Sequence, residues 1–393
     1  MPLYETNYAE KHAVVLDLGI RYTKFGFAGE DSPRCIIPTE IPDPETRQVR
    51  SIYSYKDETD LYSLLVEFIH MLHFKHILVS PKDRRVLILE SLLCPTVFRD
   101  VLAKVLFRHF EVSSVLFVPV HLVAMSTLGS PGSGTGLVVD VGHSETLLIP
   151  VYCGVPVLAA WQAQPWAGKA VQLRLRESLV EHFKNGDSTT SPDDIQELTE
   201  ETIEDIKVRA CFVTPLERAR KFADKSTDVK AAPDVSYRVG GSRLITIPGY
   251  IRETCHEVFF ERDSDQLSLP NMILDAIVKC NVDMRKQLAE NIFLIGGSSM
   301  TPGFKYRLSQ ELKHLIATPY YANRLKINKF KFHASRVKEN YVGWLGGSLF
   351  GASDLLSVRS LTREGYLNNA TVPDWCNLMY NTKSNAGSIK KII

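Results

Sequence analysis

The stretch DLGIRYTKFGFAGE, from Asp17 to Glu30, decides how the chain begins to fold. It follows the apolar run from Ala13 to Leu16, so the pattern predicts a strand, a tight turn at Gly19 and a returning strand. A glycine-containing turn between strands can direct backbone N–H groups at a phosphate. The side chains at its tip, Ile20 and Arg21, therefore decide whether the loop holds a nucleotide, cleaves it or does neither.

A second stretch, GLVVDVGHSETLLIPVYCG at 136–154, loosely repeats AVVLDLGIRYTKFGFAG at 13–29. In both copies an apolar run ends in Asp-x-Gly and continues into an alternating strand, which predicts a hairpin at the start of each half of a duplicated protein. Asp17 and Asp140 occupy the matching positions. If the two halves face each other, both hairpin tips and both aspartates meet in one cleft.

The composition excludes several classes of protein. The 46 basic and 45 acidic residues give a formal charge of +1, so no global charge recruits nucleic acid or an anionic membrane. The seven cysteines are odd in number and never spaced CxxC, which argues against a disulfide framework or a zinc site. No apolar stretch is long enough to span a bilayer, and the N-terminus lacks the apolar core of a signal peptide. We therefore expect a soluble intracellular chain.

Helical and strand patterns alternate along the chain, which predicts an α/β sheet covered on both faces. Helices are predicted at 60–74, 96–110, 168–183 and from the cap Ser191-Pro192 to about Arg209, and strands at 84–94, 242–247 and 291–295. The polar stretch from Lys221 to Ser242 predicts an exposed loop. The small residues of YVGWLGGSLFGAS at 341–353 predict a tightly packed interdomain helix.

Four motifs, taken in order, resemble those of the actin family: two phosphate hairpins, an adenosine segment and a hinge segment. They are DLGxxxxKxGFAGEDxPR, VVDVGHSETLLIPVYCG, LIGGSSMTPGF and WLGGSLF, and the resemblance runs from Val14 to Ser353. It implies an α/β fold of the actin, hexokinase and heat-shock-70 ATPase type, with two duplicated α/β domains around a nucleotide cleft. The implied outer domain is 1–127 with 323–393 and has a shortened second subdomain; the implied inner domain is 128–322.

The resemblance also implies a site for ATP or ADP and no metal site formed by protein side chains. The positions that match the family's nucleotide contacts are Asp17, Gly19 and Lys24 in the first hairpin, Asp140 and Gly142 in the second, Lys207 at the base, and Gly296, Gly297 and Met300 in the adenosine segment. Arg21 and His143 occupy altered positions in the same two hairpins.

The departures from the family pattern predict that a nucleotide is not hydrolysed, and they leave both an occupied and an empty cleft open. Hydrolysis needs a positioned water and an acceptor for its proton, and the polar groups that the family uses are replaced. The replacements are Ile20 and Arg21 for a serine and a glycine, His143 for an aspartate, Leu147 for a histidine, Val120 for a glutamine and Val208 for a glutamate. Arg21 has two interpretations: it grips the phosphate of an uncleaved nucleotide, or it fills an empty site by pairing with Asp17 or Asp140.

Two shortened segments predict a subunit that ends a filament. The segment from Pro38 to Pro95 is shorter than in conventional actin, and the missing part is the loop that inserts into the next filament subunit. The segment FERDSDQLSLPNMILDAIVK at 260–279 is also shorter, at the place where the family carries a hydrophobic plug. An interface that cannot propagate ends a filament. IEDIKVRACFV, VDMRKQLAENIFLIGG and VPDWC further resemble the branch of the family that caps the pointed end of the actin-related filament in dynactin.

That resemblance implies partners, a location and two alternatives. The implied partners are filament subunits at the barbed-facing side, the small pointed-end subunits of dynactin and, indirectly, dynein and cargo adaptors, in the cytoplasm and cytoskeleton, with no nucleic acid and no membrane span. One alternative is an actin-related subunit of a nuclear chromatin-remodelling complex, and another is an active ATPase or sugar kinase.

His70, His73 and His76 lack a carboxylate or cysteine to complete a metal set and are interpreted as structural. Trp375 is a candidate either for docking on a partner or for closing the core.

Overall fold

The fold is described from a computed structural model of the chain. The structure describes residues 11–42, 49–128, 134–184, 198–224, 229–240, 243–369 and 371–373. The chain divides into two compact units, one made of residues 1–129 and 341–393 and the other of residues 130–340. Each unit contains a sheet with helices packed on it, which makes both units α/β.

The first unit is built on a sheet whose central strand comes from the start of the chain. Its first seven strands are β1 (Val14–Leu18), β2 (Tyr22–Phe27), β3 (Cys35–Pro38), β4 (Glu40–Pro42), β5 (Val49–Ser51), β6 (Arg85–Glu90) and β7 (Ser114–Pro119). β2 returns antiparallel to β1, whereas β6 lies parallel to β1 on its other side and β7 parallel to β6. β4 and β5 form a separate two-stranded hairpin. β6 and β7 are almost entirely buried, because both faces of the sheet are covered.

Three helices follow in this unit: α1 (Glu58–Met71), α2 (Thr96–Lys104) and α3 (Val120–Ser126). α1 and α2 continue into π-helical turns at Leu72–Ile77 and Val105–His109. α1 begins at Asp57, whose carboxylate accepts hydrogen bonds from the backbone N–H groups of Thr59 and Asp60. Its apolar face, with Leu61 and Phe68 fully buried, packs into the core of the unit.

The second unit has a five-stranded sheet, a two-stranded hairpin and eight described helices. Its strands are β8 (Gly136–Val141), β9 (Thr146–Tyr152), β10 (Val155–Pro156), β11 (Gln162–Gln164), β12 (Val235–Val239), β13 (Arg243–Ile247) and β14 (Ile292–Ile295). Its helices are α4 (Gly168–Lys184), α5 (Glu200–Ala210), α6 (Leu216–Ala223), α7 (Gly249–Thr254), α8 (Leu269–Lys279), α9 (Val282–Glu290), α10 (Phe304–Ile316) and α11 (Pro319–Ala322). β8 pairs antiparallel with β9 and parallel with β14.

The chain then returns to the first unit through α12 (Val342–Gly351), α13 (Leu355–Arg359), β15 (Leu361–Thr362) and α14 (Arg363–Asn369). β15 pairs with β7. The carbonyl of Pro373 accepts a hydrogen bond of 2.6 Å from buried Arg99, which also forms an ion pair with Glu90. The interpretation of Trp375 lies outside the described residues. None of the helices within the described ranges has the length and apolar character that a membrane span requires.

The observed division of the chain differs from the sequence-based one at its second crossing. Residues 323–340 were placed with the outer domain, but in the structure they belong to the second unit. The reason is backbone pairing: Lys331 donates to Ala289 and accepts from Ile292, and His333 donates to Ile292. The segment therefore continues the edge of the second unit's sheet beside β14, and the units divide at Asn340 and Tyr341.

Other elements match the sequence prediction except in two places. The interval from Lys221 to Ser242, predicted as a loop, contains β12, which pairs with β13 and shares the turn around Gly240. Alternation of Val235, Tyr237 and Val239 was the signal for this strand. The predicted cap Ser191-Pro192 lies outside the described residues, and the described part of that helix begins at Glu200 with Thr199 as its N-cap.

Glycines let α12 approach the rest of the first unit closely. A Cβ at Gly346 would lie 1.9 Å from the carbonyl oxygen of Val123 in α3, and one at Gly347 would lie 2.8 Å from a methyl group of Leu89. The fully buried Trp344 donates its indole N–H to the carbonyl of Val15, at 3.2 Å. The small residues of this segment thus permit the tight packing that the sequence predicted, but the contacts described are with α3 and the sheet of the same unit rather than between domains.

This packing gives a test of the fold. Gly346→Ala should lower the free energy of unfolding by about 2 kcal/mol, because the new methyl group overlaps the Val123 carbonyl and forces the backbone apart. Leu349→Ala, in the same helix but half exposed, is the control and should change it by less than about 1 kcal/mol. Urea unfolding followed by fluorescence measures both. Equal stability of the Gly346 variant and the wild type would contradict the packing.

Candidate functional site

The first candidate hairpin is closed by an ion pair across its two strands. Asp17 in β1 lies opposite Lys24 in β2, and Lys24 Nζ is 3.0 Å from Asp17 Oδ2. Both side chains are mostly buried. A Cβ at Gly19 would lie 2.6 Å from the carbonyl oxygen of Tyr22 and 3.5 Å from Lys24 Nζ, so only glycine fits this turn without a backbone shift.

Tyr53 and Thr39 of the same unit donate hydrogen bonds to the carbonyl groups at the tip of this hairpin. Tyr53 donates its hydroxyl to the carbonyl of Leu18 at 2.7 Å, and Thr39 donates its hydroxyl to the carbonyl of Gly19 at 2.7 Å. The backbone N–H of Thr39 donates to the carbonyl of Arg21 at 3.0 Å. We call these three hydrogen bonds the hairpin clasp. Because the acceptors in all three hydrogen bonds are carbonyl oxygens of the loop, the clasp does not occupy the N–H groups of the loop.

Arg21 pairs with a carboxylate that the sequence analysis did not consider. Its Nη1 lies 2.5 Å from Oε1 of Glu40, and both side chains are more than four-fifths buried. The guanidinium also lies over the ring of Tyr22, with its carbon 5.6 Å from the ring centroid. Asp17, the partner proposed for Arg21, forms its ion pair with Lys24. No motif indicates this pairing, which depends on the register with which β3 brings Thr39 and Glu40 back beside the tip.

The second candidate hairpin is anchored to two neighbouring segments. The N–H of Gly142 donates to the carbonyl of Glu145 at 3.1 Å, which closes the turn between β8 and β9. The carbonyl of Gly142 accepts from the N–H of Gly168 at 3.1 Å and from the hydroxyl of Ser298 at 2.8 Å. The carbonyl of His143 accepts from the N–H of Lys169 at 2.7 Å. The start of α4 thus donates its first N–H groups to this hairpin.

The adenosine segment packs against Asp140 at a glycine that cannot be replaced easily. Gly296 has a φ of 91°, and a Cβ there would lie 2.4 Å from the carbonyl of Val141 and 2.5 Å from Oδ1 of Asp140. Gly297 has more room, since the nearest atom to its Cβ position is 4.0 Å away. Met300 ends the 3₁₀ turn Gly297–Met300 and is 39% exposed.

Lys207 from α5 reaches the same corner of the second unit. A Cβ at Gly168 would lie 2.9 Å from the hydroxyl of Ser298 and 3.4 Å from Lys207 Nζ. Burial, and then the charge of Lys207, lowers the pKa of His256 to about 3. The structure therefore brings Asp140, Gly142, His143, Lys207, Gly296, Gly297 and Met300 into adjoining segments, and it adds Gly168, Ser298 and His256. Ser298 lies in the motif LIGGSSMTPGF but was assigned no role there, and neither Gly168 nor His256 lies in one of the four motifs.

Two positions at which the resemblance expects water-handling groups, Leu147 and Val120, are used for packing, whereas Val208, at a ribose-binding position of the family, is exposed. Leu147 is buried in β9 opposite Asp140. Val120 begins α3 and fills the space that a Cβ at Gly343 would need, at 2.4 Å. Val208 is 67% exposed, so it can contribute only an apolar surface where the family has a carboxylate.

The histidine series forms no metal site in the described structure. His73 is buried, its Nδ1 lies 3.0 Å from the carbonyl of Ile69, and its ring meets Phe25 edge-on. Burial lowers its pKa to about 4, against the effect of that hydrogen bond. Among the described residues, no group of three or more histidine, cysteine, aspartate and glutamate side chains could hold a metal ion.

Comparison with known proteins identifies the family. The profile of the Actin family matches residues 8–65 and 62–372. The chain belongs to the actin family. Actin-related protein 10 of Dictyostelium discoideum is 28% identical over an alignment of 435 residues, which covers 93% of this chain and 89% of that protein. The resemblance derived from the four motifs is confirmed, and so is the actin-type fold.

The hairpin clasp can be tested by removing one hydroxyl. Thr39→Val should lower the free energy of unfolding by about 1 kcal/mol, because the partly buried carbonyl of Gly19 loses its donor. The matched control is Thr371→Val, at an exposed position of the same unit, which should stay within about 0.5 kcal/mol of wild type. Urea unfolding gives both values. If the two variants are equally stable, the clasp does not hold the hairpin.

Proposed function

We propose that this chain is a non-catalytic actin-related subunit of dynactin that caps the pointed end of the actin-related filament. In this role it also helps to bind the small pointed-end subunits, and it supports dynein-driven transport along microtubules in the cytoplasm. The name of its relative, actin-related protein 10, supports an actin-related role. The finer assignment rests on how the chain builds the two segments that the family uses between filament subunits.

The observation that carries the proposal is the compactness of the segment between Pro38 and Pro95. β4 and β5 are hydrogen-bonded partners, and only six residues, 43–48, connect them. The hairpin leads directly to α1, which packs into the core. Six residues that must return to a paired strand can reach about 10 Å at most. This is too short to insert into a neighbouring subunit, so the pointed side cannot recruit another copy.

The second family contact is replaced by a tight turn. Asp263 accepts hydrogen bonds on its carboxylate from the N–H groups of Asp265 and Leu267, both at 2.9 Å. Its own N–H donates to the carbonyl of Leu267, also at 2.9 Å. Leu269, at the start of α8, is fully buried. The apolar residues of the described segment 260–279 are therefore mostly buried in the core, and they form no protruding plug.

The proposal includes a bound nucleotide that is not hydrolysed. Lys207, Gly296 and Met300 would hold the adenosine of ATP or ADP, because backbone approaches closely at the glycine and Lys207 supplies a cation. Gly142, in the same unit, would approach its phosphates, and Lys24 is a second candidate phosphate ligand in the first hairpin. Arg21 is directed to Glu40, and Leu147 and Val120 are packing residues. A bound nucleotide would supply phosphate charge, and the two described positions where the family handles the attacking water are apolar.

Filament assembly tests this function directly. The purified chain should remain monomeric at concentrations at which conventional actin polymerises. Added to growing actin-related filaments marked at one end, it should stop growth at the pointed end and leave the barbed end growing, because it has a receiving surface but no insertion loop. Conventional actin is the control and should extend marked actin seeds at both ends. Filaments of the chain alone, or unchanged growth at the pointed end, would contradict the proposal.

A further inference from the structure

Asn340, the last residue of the second unit, carries a buried oxygen atom that no described residue satisfies. This atom is the side-chain Oδ1, and none of the described donors lies within hydrogen-bond distance of it. A buried acceptor without a donor is unfavourable, because it has lost its hydrogen bonds to water and gained none in the protein. Oδ1 is therefore a candidate contact for a bound molecule that brings its own donor.

The backbone holds Asn340 beside the adenosine segment. The N–H of Gly296 donates to the carbonyl of Glu339, the residue before Asn340, at 3.0 Å. The Cβ of Asn340 lies 4.0 Å from the position that a Cβ at Gly297 would occupy. Among the described residues outside this turn, no other atom comes as close to that position. The side of Gly297 that lacks a side chain thus has Asn340 as its neighbour.

The turn next to Asn340 suits a planar ligand. Gly297 and Met300 are the first and last residues of a 3₁₀ turn, in which residues three apart lie on the same side. Gly297 has no side chain to keep a flat ring away from the backbone. Met300 is exposed, and its thioether packs favourably on aromatic rings. A planar ring with an N–H group at its edge therefore fits this place better than a puckered sugar does.

The two serine hydroxyls of this turn donate to other acceptors. Ser298 donates to the carbonyl of Gly142 at 2.8 Å, and Ser299 donates to the carbonyl of Gly296 at 2.7 Å. Each hydroxyl has a single hydrogen to donate, so neither serves Asn340. The same two hydrogen bonds fix the turn, which keeps the place beside Asn340 in one shape before a ligand binds.

We propose that Asn340 selects the base of the bound nucleotide, because its Oδ1 accepts a hydrogen bond from the exocyclic amino group of adenine. This inference rests on the bound nucleotide of the proposed function and names the atom that recognises its base. An amide oxygen fits an amino group, whereas it does not fit a phosphate, whose oxygens are acceptors. Lys207, the cation assigned to the adenosine, has only donors and cannot recognise an amino group.

The predicted selectivity depends on one position of the purine ring. Hypoxanthine and guanine carry a carbonyl oxygen where adenine carries its amino group. That oxygen would place a second acceptor against Oδ1 of Asn340 and leave both atoms unsatisfied. A site built around a hydrogen bond rejects a ligand that cannot make it. The chain should therefore bind ATP more tightly than inosine triphosphate, and Asn340 should be responsible for the difference.

Competition between nucleotides tests the proposal. The full chain is equilibrated with magnesium and radiolabelled ATP, and unlabelled ATP, inosine triphosphate or purine riboside triphosphate is added as the competitor. Purine riboside triphosphate lacks the amino group without gaining an oxygen. Asn340→Leu removes the acceptor but keeps a side chain of the same branched shape, and Asn340→Ala serves if that variant does not fold. Asn323→Leu, at an exposed asparagine of the same unit, is the control. Circular dichroism checks that each variant is folded.

We expect the wild-type chain and Asn323→Leu to bind ATP at least about tenfold more tightly than either analogue. Asn340→Leu should lose affinity for ATP and bind all three nucleotides within about threefold of one another. Equal binding of the three nucleotides by the wild type, or an unchanged preference in Asn340→Leu, would overturn the inference and leave the bound nucleotide standing. Binding of none of the three by the wild type would overturn the bound nucleotide of the proposed function together with the inference.

Discussion

The structure of the first hairpin depends on the hydrogen bonds that Thr39 and Tyr53 donate to its carbonyl groups. They fix the turn around Gly19 from within the same unit, whereas in a phosphate loop the bound anion does much of this work. Once the turn is fixed in this way, the tip can carry Arg21, whose charge is met by Glu40. The turn is therefore ordered by residues of its own unit.

The second hairpin follows a different physical rule. Its carbonyl groups accept hydrogen bonds from the backbone of α4 and from Ser298. Glycine is required at position 296 because the adenosine segment approaches Asp140 and Val141 closely there. Gly296 has a positive φ and no space for a side chain. The family's glycines therefore remain where backbone meets backbone, while the polar groups that would handle water have been replaced by packing residues such as Leu147.

The sequence predicts the parts of this structure that local patterns determine. Both hairpins, most helices and the close packing around Gly346 follow from apolar periodicity and from glycine spacing. The partner of Arg21 could not be read from a motif, because it depends on the register with which β3 returns beside β2. In the same way, residues 323–340 were assigned by analogy, whereas the backbone bonds of Lys331 decide their unit. Strand β12 was missed because its polar neighbours outweighed the alternation of Val235, Tyr237 and Val239.

The main proposal is that the chain keeps the actin fold without ATP turnover. Its most direct test is a single-turnover measurement in which the natively purified chain is incubated with labelled ATP and magnesium, denatured at intervals and analysed for ADP, with conventional actin under polymerising conditions as the positive control. We expect no ADP above the level in a sample without protein, because neither hairpin positions a water for attack. Formation of ADP by the chain, rising with time and with protein concentration, would contradict the claim.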